Sequence, residues 1–419
     1  MLSLKFIREN KDLVKKSNES KNINIDIDRI IDLDEQRRKI LVDVEAKKAQ
    51  RNIINKKISK KEDFDNNILL MRNLSSDIKN DDKELVKIED ELNDLLLYVP
   101  NLVHQTVPIG KTEQDNVVIR EWGKKPNFDF GIKGHQEIAE GLKLLDFKRA
   151  VKMSGSGFPL YTNDGARLER SLINFMIEVH TNNGYTELFP PFLVKENSPR
   201  TTGNLPKFKE DMYHIDNDDM FCIPTAEVPV TNIHANEVLD ESSLAKKYVA
   251  YSACFRREAG SYGKDTKGLL RLHQFNKVEL VKFGKPENSY NELEMLLNDA
   301  ESILQKLNLH YRVVALASGD LSFSAAKCYD IEVWSPYENK YLEVSSCSNF
   351  ESFQAIRGNI KYRRDSDKKL DFVHTLNGSG LATPRLMVAL LETYQSKEGS
   401  LLIPACLQNY IGNKKLLIK

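Results

Sequence analysis

Residues 248–283 read YVAYSACFRREAGSYGKDTKGLLRLHQFNKVELVKF, and this stretch decides the fold. Two segments with strand character, residues 249–258 and 269–283, flank a connection rich in Gly, Ser and Lys. Such a pattern predicts a β-hairpin with a long tip. Side chains two positions apart in a strand share a face, so Arg256 and Glu258 are expected to point the same way.

The second predicted strand carries Phe275, Lys277 and Glu279 on one face. One surface of the hairpin would therefore collect a fixed cation, carboxylates and an aromatic ring. That set suits a nucleotide, because arginine binds phosphate oxygens, a ring stacks on a base and a carboxylate accepts from an amine or hydroxyl. An ion-paired outer face of a sheet would show the same spacing, so the hairpin alone leaves both interpretations open.

Composition limits the class of protein. The 419 residues suffice for two or three domains, and Lys plus Arg equals Asp plus Glu at 61 each, so net charge gives no sign of a polyanionic partner. The five cysteines form no CxxC pair, which argues against a disulfide framework and predicts no zinc site. A reducing, cytoplasmic location is expected. No apolar segment is long enough to span a membrane, and the first residues do not resemble a signal peptide.

The first 99 residues contain neither Gly nor Pro, which favours long helices. We predict a short amphipathic helix over residues 1–18, a long helix over 25–58, a polar turn at 60–67 and a second long helix to about residue 98. Two such helices form an antiparallel coiled-coil hairpin about 45 Å long. The seam is expected to be apolar at both ends and charged in its middle, at Ile40, Val44, Lys47, Arg51, Ile54 and Ile58, with Leu74, Ile78, Leu85, Ile88, Leu92 and Leu95 as the seam of the second helix.

Residues 47–61 of this hairpin are strongly basic, with seven Lys or Arg and no acid. A solvated helix face would have such a composition, and so would a surface that contacts an RNA backbone. The sequence of the hairpin does not choose between them. The basic residues proposed for contact are Lys47, Lys48, Arg51, Lys56 and Lys57.

Pro and Gly punctuate residues 101–130, which we interpret as a linker. Helices are then predicted over 133–150 and 164–182. A second hairpin at residues 329–349, turning at 337–340, presents Glu343, Ser345 and Ser346 on its second strand. Carboxylate and hydroxyl oxygens suit a hard cation such as Mg²⁺, although such residues also occur on strands without any ligand.

Two further segments carry polar residues where backbone geometry is constrained. Thr225, Ala226 and Glu227 lie in a loop bounded by prolines, which could be an ordinary loop or a substrate contact. Pro384 suits the first turn of a helix, so Arg385 would lie at a helix start, a position that favours anions.

The hairpin motifs resemble a known family. F-R-x-E followed by R-x-H-x-F resembles motif 2 of the class II aminoacyl-tRNA synthetases, and residues 255–279 (FRREAGSYGKDTKGLLRLHQFNKVE) resemble the seryl-tRNA synthetases. This resemblance implies an α+β fold, with an antiparallel β-sheet catalytic domain flanked by helices at residues 131–419. Residues 101–130 would be the linker, and residues 1–100 an N-terminal antiparallel coiled-coil arm. Residues 184–194 resemble motif 1, which implies a homodimer.

The resemblance also implies roles for individual residues. Arg256 and Arg385 would be catalytic at the triphosphate of ATP, Glu343 and Ser346 would hold Mg²⁺, and the arm would grip tRNA(Ser). Charging of the tRNA for selenocysteine stays open. The implied ATP-binding residues are Arg256, Arg257, Glu258, Phe275, Glu343, Val344, Ser345, Ser346 and Arg385. The implied L-serine-binding residues are Thr225, Ala226, Glu227, Glu279, Asn377 and Ser379.

Other functions remain to be weighed against this one. A synthetase for threonine or proline would share motif 2 and motif 3, which residues 375–394 with Arg385 resemble, but neither this arm nor the Thr-Ala-Glu loop. A ligase acting on a carrier protein would lack the arm, and an RNA-binding paralogue without activity would have lost Arg256, Glu258 or Arg385. The sequence departs from the family at residues 154–161 and at Ile356, where a second arginine is more usual, and neither departure touches a residue assigned above.

Overall fold

The structure is a computed structural model that describes residues 1–259 and 268–418. The chain divides into two compact units, Met1–Pro100 and Asn101–Lys419. In the described residues, none of the helices is both long and apolar enough to cross a membrane.

The first unit is helical. Its helices are α1 (Leu4–Glu9), α2 (Lys11–Ser20), α3 (Ile27–Ser59) and α4 (Phe64–Leu97). The single helix predicted over residues 1–18 is wrong, because the chain leaves helical geometry at Asn10 (φ −132°, ψ 40°). The Asn10 amide donates to the Phe6 carbonyl at 3.1 Å, and such local bonds by Asn compete with helix continuation.

Helices α3 and α4 form the predicted antiparallel pair. The Asp26 side chain caps α3 by accepting from the Arg29 N–H at 2.9 Å. The turn is shorter than predicted, because α4 already begins at Phe64. Val44 and Ile54 of α3, and Leu74 and Ile78 of α4, are buried as the seam requires.

Ion pairs between the two helices fix their register. Arg29 pairs with Glu91 at 2.6 Å and Arg37 with Glu89 at 2.9 Å. In the charged middle of the seam, the Lys47 ammonium of α3 pairs with the Asp81 carboxylate of α4. Lys47 and Arg51, the charged residues of the predicted seam, are therefore half-buried between the helices and do not interrupt their packing.

The second unit is built on strands. They are β1 (Val117–Trp122), β2 (Thr186–Leu188), β3 (Leu193–Lys195), β4 (His214–Ile215), β5 (Met220–Cys222), β6 (Val238–Asp240), β7 (Lys246–Phe255), β8 (Gln274–Gly284), β9 (Tyr311–Ala315), β10 (Lys327–Ser335), β11 (Lys340–Asn349), β12 (Lys361–Arg363), β13 (Leu370–Phe372), β14 (His374–Ala382), β15 (Leu401–Leu402) and β16 (Leu416–Leu417).

An eight-stranded sheet organises this unit, in the order β1-β9-β10-β11-β14-β8-β7-β2. Its neighbouring strands are antiparallel except for β2, which runs parallel to β7 at one edge. Strand β1, at the opposite edge, comes from the stretch interpreted as a linker. Its run of Val and Ile suits a strand, so this part of residues 101–130 is integral to the sheet.

The decisive hairpin consists of β7 and β8, with Ala250 opposite Glu279. Both strands are shorter than predicted on the tip side. Glu258 has a positive φ of 52°, so the chain turns out of the strand before it. The predicted tip at residues 260–267 lies outside the described residues.

The helices of the second unit are α5 (His135–Gly141), α6 (Phe147–Ser154), α7 (Asn163–Asn182), α8 (Asn197–Thr202), α9 (Glu227–Asn232), α10 (Ser289–Lys306), α11 (Phe353–Gly358), α12 (Thr383–Thr393) and α13 (Ala405–Gln408). The single helix predicted over 133–150 is wrong. It breaks into α5 and α6, because Lys143 takes a positive φ of 55° and Asp146 caps the new helix at the Arg149 N–H.

One large core lies between the sheet and the helices. Apolar residues of α7, α10 and α12, such as Leu172, Leu296 and Leu390, cluster with Val278 and Leu280 of β8. The alternate residues of β8 point to the other face of the sheet. On that second face, Val281 and Phe283 join a smaller apolar cluster, whereas Lys277 and Glu279 line the candidate site.

Candidate active site

A cavity of 680 Å³ opens on the polar face of the sheet. It is bordered by β8, β11 and β14, by the start of α12 and by the loop before α9. Most of the residues predicted from the sequence line it. These are Thr225, Glu227, Arg256, Glu258, Phe275, Glu279, Glu343, Val344, Ser346, Asn377, Ser379 and Arg385.

Three predicted side chains are not among the described residues that line this cavity. Ala226 is fully buried in a separate apolar cluster beneath the loop. Arg257 is exposed, and only its backbone is fixed, by donation from its N–H to the Asp211 carbonyl at 2.9 Å. The Ser345 hydroxyl donates to the Ser379 carbonyl at 2.6 Å and is 1% exposed.

A β-bulge explains why the Ser345 side chain does not line the cavity. The register between β10 and β11 shifts between Ile331 and Glu332, so Val344 is an extra residue on β11. Regular alternation would put Glu343 and Ser345 on one face. The extra residue instead brings Glu343 and Ser346 to the cavity and turns Ser345 away from it.

A buried polar network is centred on Glu279, which is 1% exposed. One carboxylate oxygen accepts from the Asn377 amide at 3.2 Å, and the other accepts from the Thr225 hydroxyl at 3.1 Å. The Lys277 ammonium forms an ion pair with the same carboxylate. Ser379 lies directly across from Glu279 on the neighbouring strand, so a small hydroxyl-bearing ligand could be surrounded here.

Glu227 is a second buried acid near this network. Burial and the charge of Glu279 raise its pKa from the ordinary 4.5 to about 7. The Gln354 amide donates to its carboxylate at 2.7 Å, and the Gln354 carbonyl oxygen accepts from the Thr375 hydroxyl at 2.7 Å. The carboxylate is therefore held in place and easily protonated, unless a cation joins it.

The two arginines predicted to be catalytic, Arg256 and Arg385, also line the cavity. The Arg385 guanidinium donates to the Glu343 carbonyl at 3.0 Å and lies 3.5 Å from the Glu343 carboxylate. Arg256 donates to the Pro224 carbonyl at 3.4 Å, and its guanidinium carbon lies 5.2 Å from the centre of the Phe275 ring. Two fixed cations and an aromatic ring thus share one cavity.

The oxygen-rich part of the cavity contains Glu343 and Ser346. Ser346 lies opposite Asp330 of β10, and its hydroxyl is 3.0 Å from the Cys328 sulfur. Burial, with the charge of Glu343 next in importance, raises the pKa of Asp330 well above its usual range. Carboxylate and hydroxyl oxygens in a negatively charged setting fit Mg²⁺.

Sequence reasoning placed Lys277 on this face without assigning it a role, and it missed two polar residues near the site, Gln354 and Asp330. Lys277 had a signal, because its spacing placed it beside Glu279 on one face. Asp330 pairs with Ser346 only through the register of a bulged hairpin, and Gln354 reaches Glu227 from a different helix. Neither contact could be seen in local spacing.

Two family models match the chain, one described as tRNA synthetase class II core domain (G, H, P, S and T) at residues 208–394, and one as Seryl-tRNA synthetase N-terminal domain at residues 1–103. The antiparallel sheet and its cavity are thus those of a class II aminoacyl-tRNA synthetase. Serine--tRNA ligase of Syntrophobacter fumaroxidans is 54% identical, over 99% of each chain. This chain belongs to the seryl-tRNA synthetase family, and it is an aminoacyl-tRNA ligase.

Further comparisons agree with this assignment. Serine--tRNA ligase of Carboxydothermus hydrogenoformans is 51% identical over all of both chains. The crystal structure of seryl-tRNA synthetase from Pyrococcus horikoshii complexed with ATP superposes with a TM-score of 0.93 at 36% identity, covering 100% of this chain and 99% of that one. The alternatives of a threonine or proline synthetase, and of a carrier-protein ligase, therefore do not hold.

Proposed function

We propose that the 680 Å³ cavity binds L-serine and ATP side by side, forms seryl-adenylate and passes the seryl group to the 3′ end of tRNA(Ser). The ligase activity follows from family membership, and the assignment of residues is our proposal. One observation carries it: a single cavity combines the buried Glu279 network with the two arginines, Arg256 and Arg385. A hydroxyl-bearing amine and a polyphosphate would each find complementary groups there.

The serine hydroxyl is proposed to bond to Glu279, Thr225 and Ser379. A pocket that hydrogen-bonds a substrate hydroxyl rejects analogues without it by about 10⁴-fold or more. The serine ammonium is assigned to Glu227, whose carboxylate is buried and, among the residues that the structure describes, has no cation as close as Lys277 is to Glu279.

The chemistry needs no nucleophilic side chain. The serine carboxylate attacks the α-phosphorus of ATP, the bond to the β-phosphate oxygen breaks and diphosphate leaves with the electron pair. Arg256 and Arg385 would stabilise the charge on the phosphate oxygens, and Phe275 would stack on the adenine. Glu258 would accept from the adenine amino group or orient Arg256. In the second step a ribose hydroxyl at the tRNA 3′ end, which class II membership makes the 3′-hydroxyl, attacks the seryl carbonyl and AMP leaves.

Mg²⁺ fits this site with Glu343 and Ser346 as the residues that would hold it. The donor set is hard oxygen, and Asp330 adds a buried acid beside Ser346. When bound, Mg²⁺ neutralises phosphate charge and polarises the phosphoryl oxygens. Arg385, whose guanidinium already contacts Glu343, would act on the same phosphate oxygens.

The first unit, residues 1–100, is proposed to grip the tRNA, and residues 131–419 to form the catalytic domain. Lys56 and Lys57 are exposed and free to approach a phosphate backbone. Lys47 already pairs across the coiled coil, and Lys48 lies 3.8 Å from the Asp82 carboxylate. Among the predicted basic residues, we therefore assign the main RNA contact to Lys56, Lys57 and the half-buried Arg51, and a smaller one to the two paired lysines.

A homodimer is also proposed, through the edge of the sheet that carries β2. Phe189 directly follows this short parallel strand and is 75% exposed, beside two prolines that end the strand. A large exposed ring at a sheet edge suits a subunit contact. Sedimentation of the full chain, with Phe189→Asp for comparison, tests this: the variant is expected to shift toward monomer.

The central test is amino-acid-dependent ATP–diphosphate exchange without tRNA, run against all twenty amino acids. Exchange with serine alone is expected. Arg385→Ala should reduce it by about 10²-fold or more, because the lost charge both binds the ATP phosphates, which raises the KM for ATP, and stabilises the transition state. Exchange with threonine but not serine, or an Arg385→Ala variant as active as the parent, would refute the assigned pocket.

A further inference from the structure

A buried histidine–carboxylate pair lies behind the cavity, between α5 and α12. His135 is 2% exposed and Glu392 fully buried. His135 Nδ1 lies 3.0 Å from a Glu392 carboxylate oxygen, and the His135 backbone N–H donates to the same oxygen at 3.2 Å. The other oxygen accepts from the Ser335 hydroxyl and from the Tyr337 N–H at 3.2 Å.

The carboxylate fixes the tautomer of the imidazole. An acceptor at Nδ1 places the ring proton there, so Nε2 is left with a lone pair. The Leu269 N–H donates to this Nε2 at 3.4 Å. Gly268, with a positive φ of 64°, packs so closely on the ring that a Cβ there would lie 2.3 Å from Nε2.

The segment held by His135 forms part of the cavity wall. Residues 269–272 all line it. The Leu270 carbonyl accepts from Arg385 Nε at 3.4 Å, and the Arg271 guanidinium pairs with the Glu258 carboxylate at 3.1 Å. Two of the groups assigned to ATP therefore rest on the segment that the histidine anchors.

We propose that His135, oriented by Glu392, is a positioning residue for the nucleotide-binding part of the cavity. It holds residues 268–272 through the Leu269 amide, and the Leu270 carbonyl in turn holds the Arg385 guanidinium at the phosphates. This inference rests on the proposed ATP role of Arg385. His135 itself touches no substrate.

The same residues could be considered as metal ligands, since His135, Glu338 and Glu392 each bring one ligand atom within 4.8 Å of the others. Hydrogen bonding accounts for them better. A metal on His135 would need the Nδ1 lone pair that the proton facing Glu392 occupies, and both Glu392 oxygens already accept two bonds each.

Two substitutions of His135 separate its two hydrogen bonds. Asn places an amide N–H where Nδ1 is, so His135→Asn keeps the donor to Glu392 and removes the acceptor for Leu269. Gln is longer and can present its carbonyl oxygen near the position of Nε2, so His135→Gln is the conservative variant expected to rescue the contact.

The first readout is amide hydrogen exchange of the full chain without ligands. In His135→Asn the peptide containing Leu269 is expected to exchange about tenfold faster, as for the loss of one buried hydrogen bond, with His135→Gln close to the parent. Unchanged exchange in His135→Asn would overturn the contact. A chelator should change neither the hydrogen exchange nor the melting temperature of the parent. Faster exchange or a lower melting temperature with the chelator would favour a bound metal instead.

The second readout is steady-state exchange kinetics with Arg385→Ala in parallel. His135→Asn is expected to raise the KM for ATP about five- to tenfold, while the KM for serine and kcat stay within about twofold of the parent. A general loss of folding in this variant would instead lower kcat. If the KM for ATP rises in Arg385→Ala but not in His135→Asn, the positioning role of His135 alone is overturned. No increase for either overturns the proposed ATP site, and with it this inference.

If His135→Asn does not fold, Gly268→Ala tests the same contact from the other side. Its methyl group would lie against the imidazole and push the Leu269 amide away from Nε2. The same rise in KM for ATP is expected, and an unchanged KM would count against the proposal.

Discussion

Glu227 predicts how serine binding depends on pH. Its pKa is raised to about 7 by burial first and by the Glu279 charge second, and the shift is opposed by the Gln354 hydrogen bond and then by the charges of Lys277 and Arg256. If Glu227 binds the serine ammonium, only its ionised form is competent. Serine binding should therefore release a proton from Glu227 near neutral pH.

The expected size follows from the fraction of enzyme in the competent state. With a pKa of about 7, roughly one-tenth of the carboxyl groups are ionised at pH 6 and nine-tenths at pH 8. An apparent dissociation constant scales inversely with that fraction, so serine should bind about tenfold more tightly at pH 8 than at pH 6.

The same shift acts on the stability of the free enzyme. A carboxyl whose folded pKa lies above its unfolded value binds its proton more tightly when folded, so stability is greatest at low pH and is lost as pH rises from 4.5 through about 7. The rise of the Glu227 pKa from 4.5 to about 7 corresponds to about 3 kcal/mol of lost stability by pH 8. Glu227→Gln keeps the acceptor for Gln354 and should remove most of this penalty.

Isothermal titration calorimetry with serine at pH 6, 7 and 8, in buffers of different ionisation enthalpy, measures both the affinity and the protons released. The parent is expected to release about half a proton at pH 7. Glu227→Gln should bind serine weakly with a flat profile, and ATP binding serves as the control. A Glu227→Gln variant that keeps the tenfold rise would show that another group titrates and refute the reasoning.

Three further predictions concern other parts of the chain. Ser346→Ala should raise the Mg²⁺ concentration for half-maximal exchange by about tenfold, because a proposed ligand is lost. Replacing Lys56 and Lys57 together by Ala should weaken tRNA binding and reduce the slope of log K against log salt by about 1.5, with exchange without tRNA unchanged. Gly165→Ala should lower the free energy of unfolding by about 2–3 kcal/mol in a denaturant titration, because its Cβ would lie 2.0 Å from a backbone carbonyl.

Each of these changes has a matched control. Ser345→Ala should leave the Mg²⁺ requirement unaltered, since that hydroxyl faces away from the cavity. Alanine at the exposed Lys83 and Lys87 of α4 should affect the salt slope less than the Lys56 and Lys57 pair. Gly141→Ala, with no atom within 4 Å of its Cβ, should be close to neutral. Equal effects in test and control would refute the corresponding assignment.

The arm and the central hairpin were predictable from sequence because their signals are local. Val44, Ile54, Leu74 and Ile78 follow helical spacing and are buried as expected. The helix break at Asn10 was not foreseen, since a single polar residue carries little weight against a continuous amphipathic pattern.

The site was predictable where resemblance or spacing reached and wrong where register changed. One extra residue at Val344 turns Ser345 away from the cavity, whereas Glu343 and Ser346, the predicted Mg²⁺ ligands, both line it. The contacts of Gln354 with Glu227 and of His135 with Leu269 join residues more than a hundred positions apart. Only the fold brings such groups together, so no local pattern could indicate them.

The ion pairs along the coiled coil have a consequence for the evolution of its length. Register is fixed by pairs such as Arg29–Glu91 and Arg37–Glu89, while the seam repeats every seven residues. Removing seven residues from each helix would restore the seam and shorten the hairpin by about 10 Å. The length of the arm can therefore change in steps of one heptad, by insertions or deletions of seven residues in both helices, while the packing of the seam is preserved.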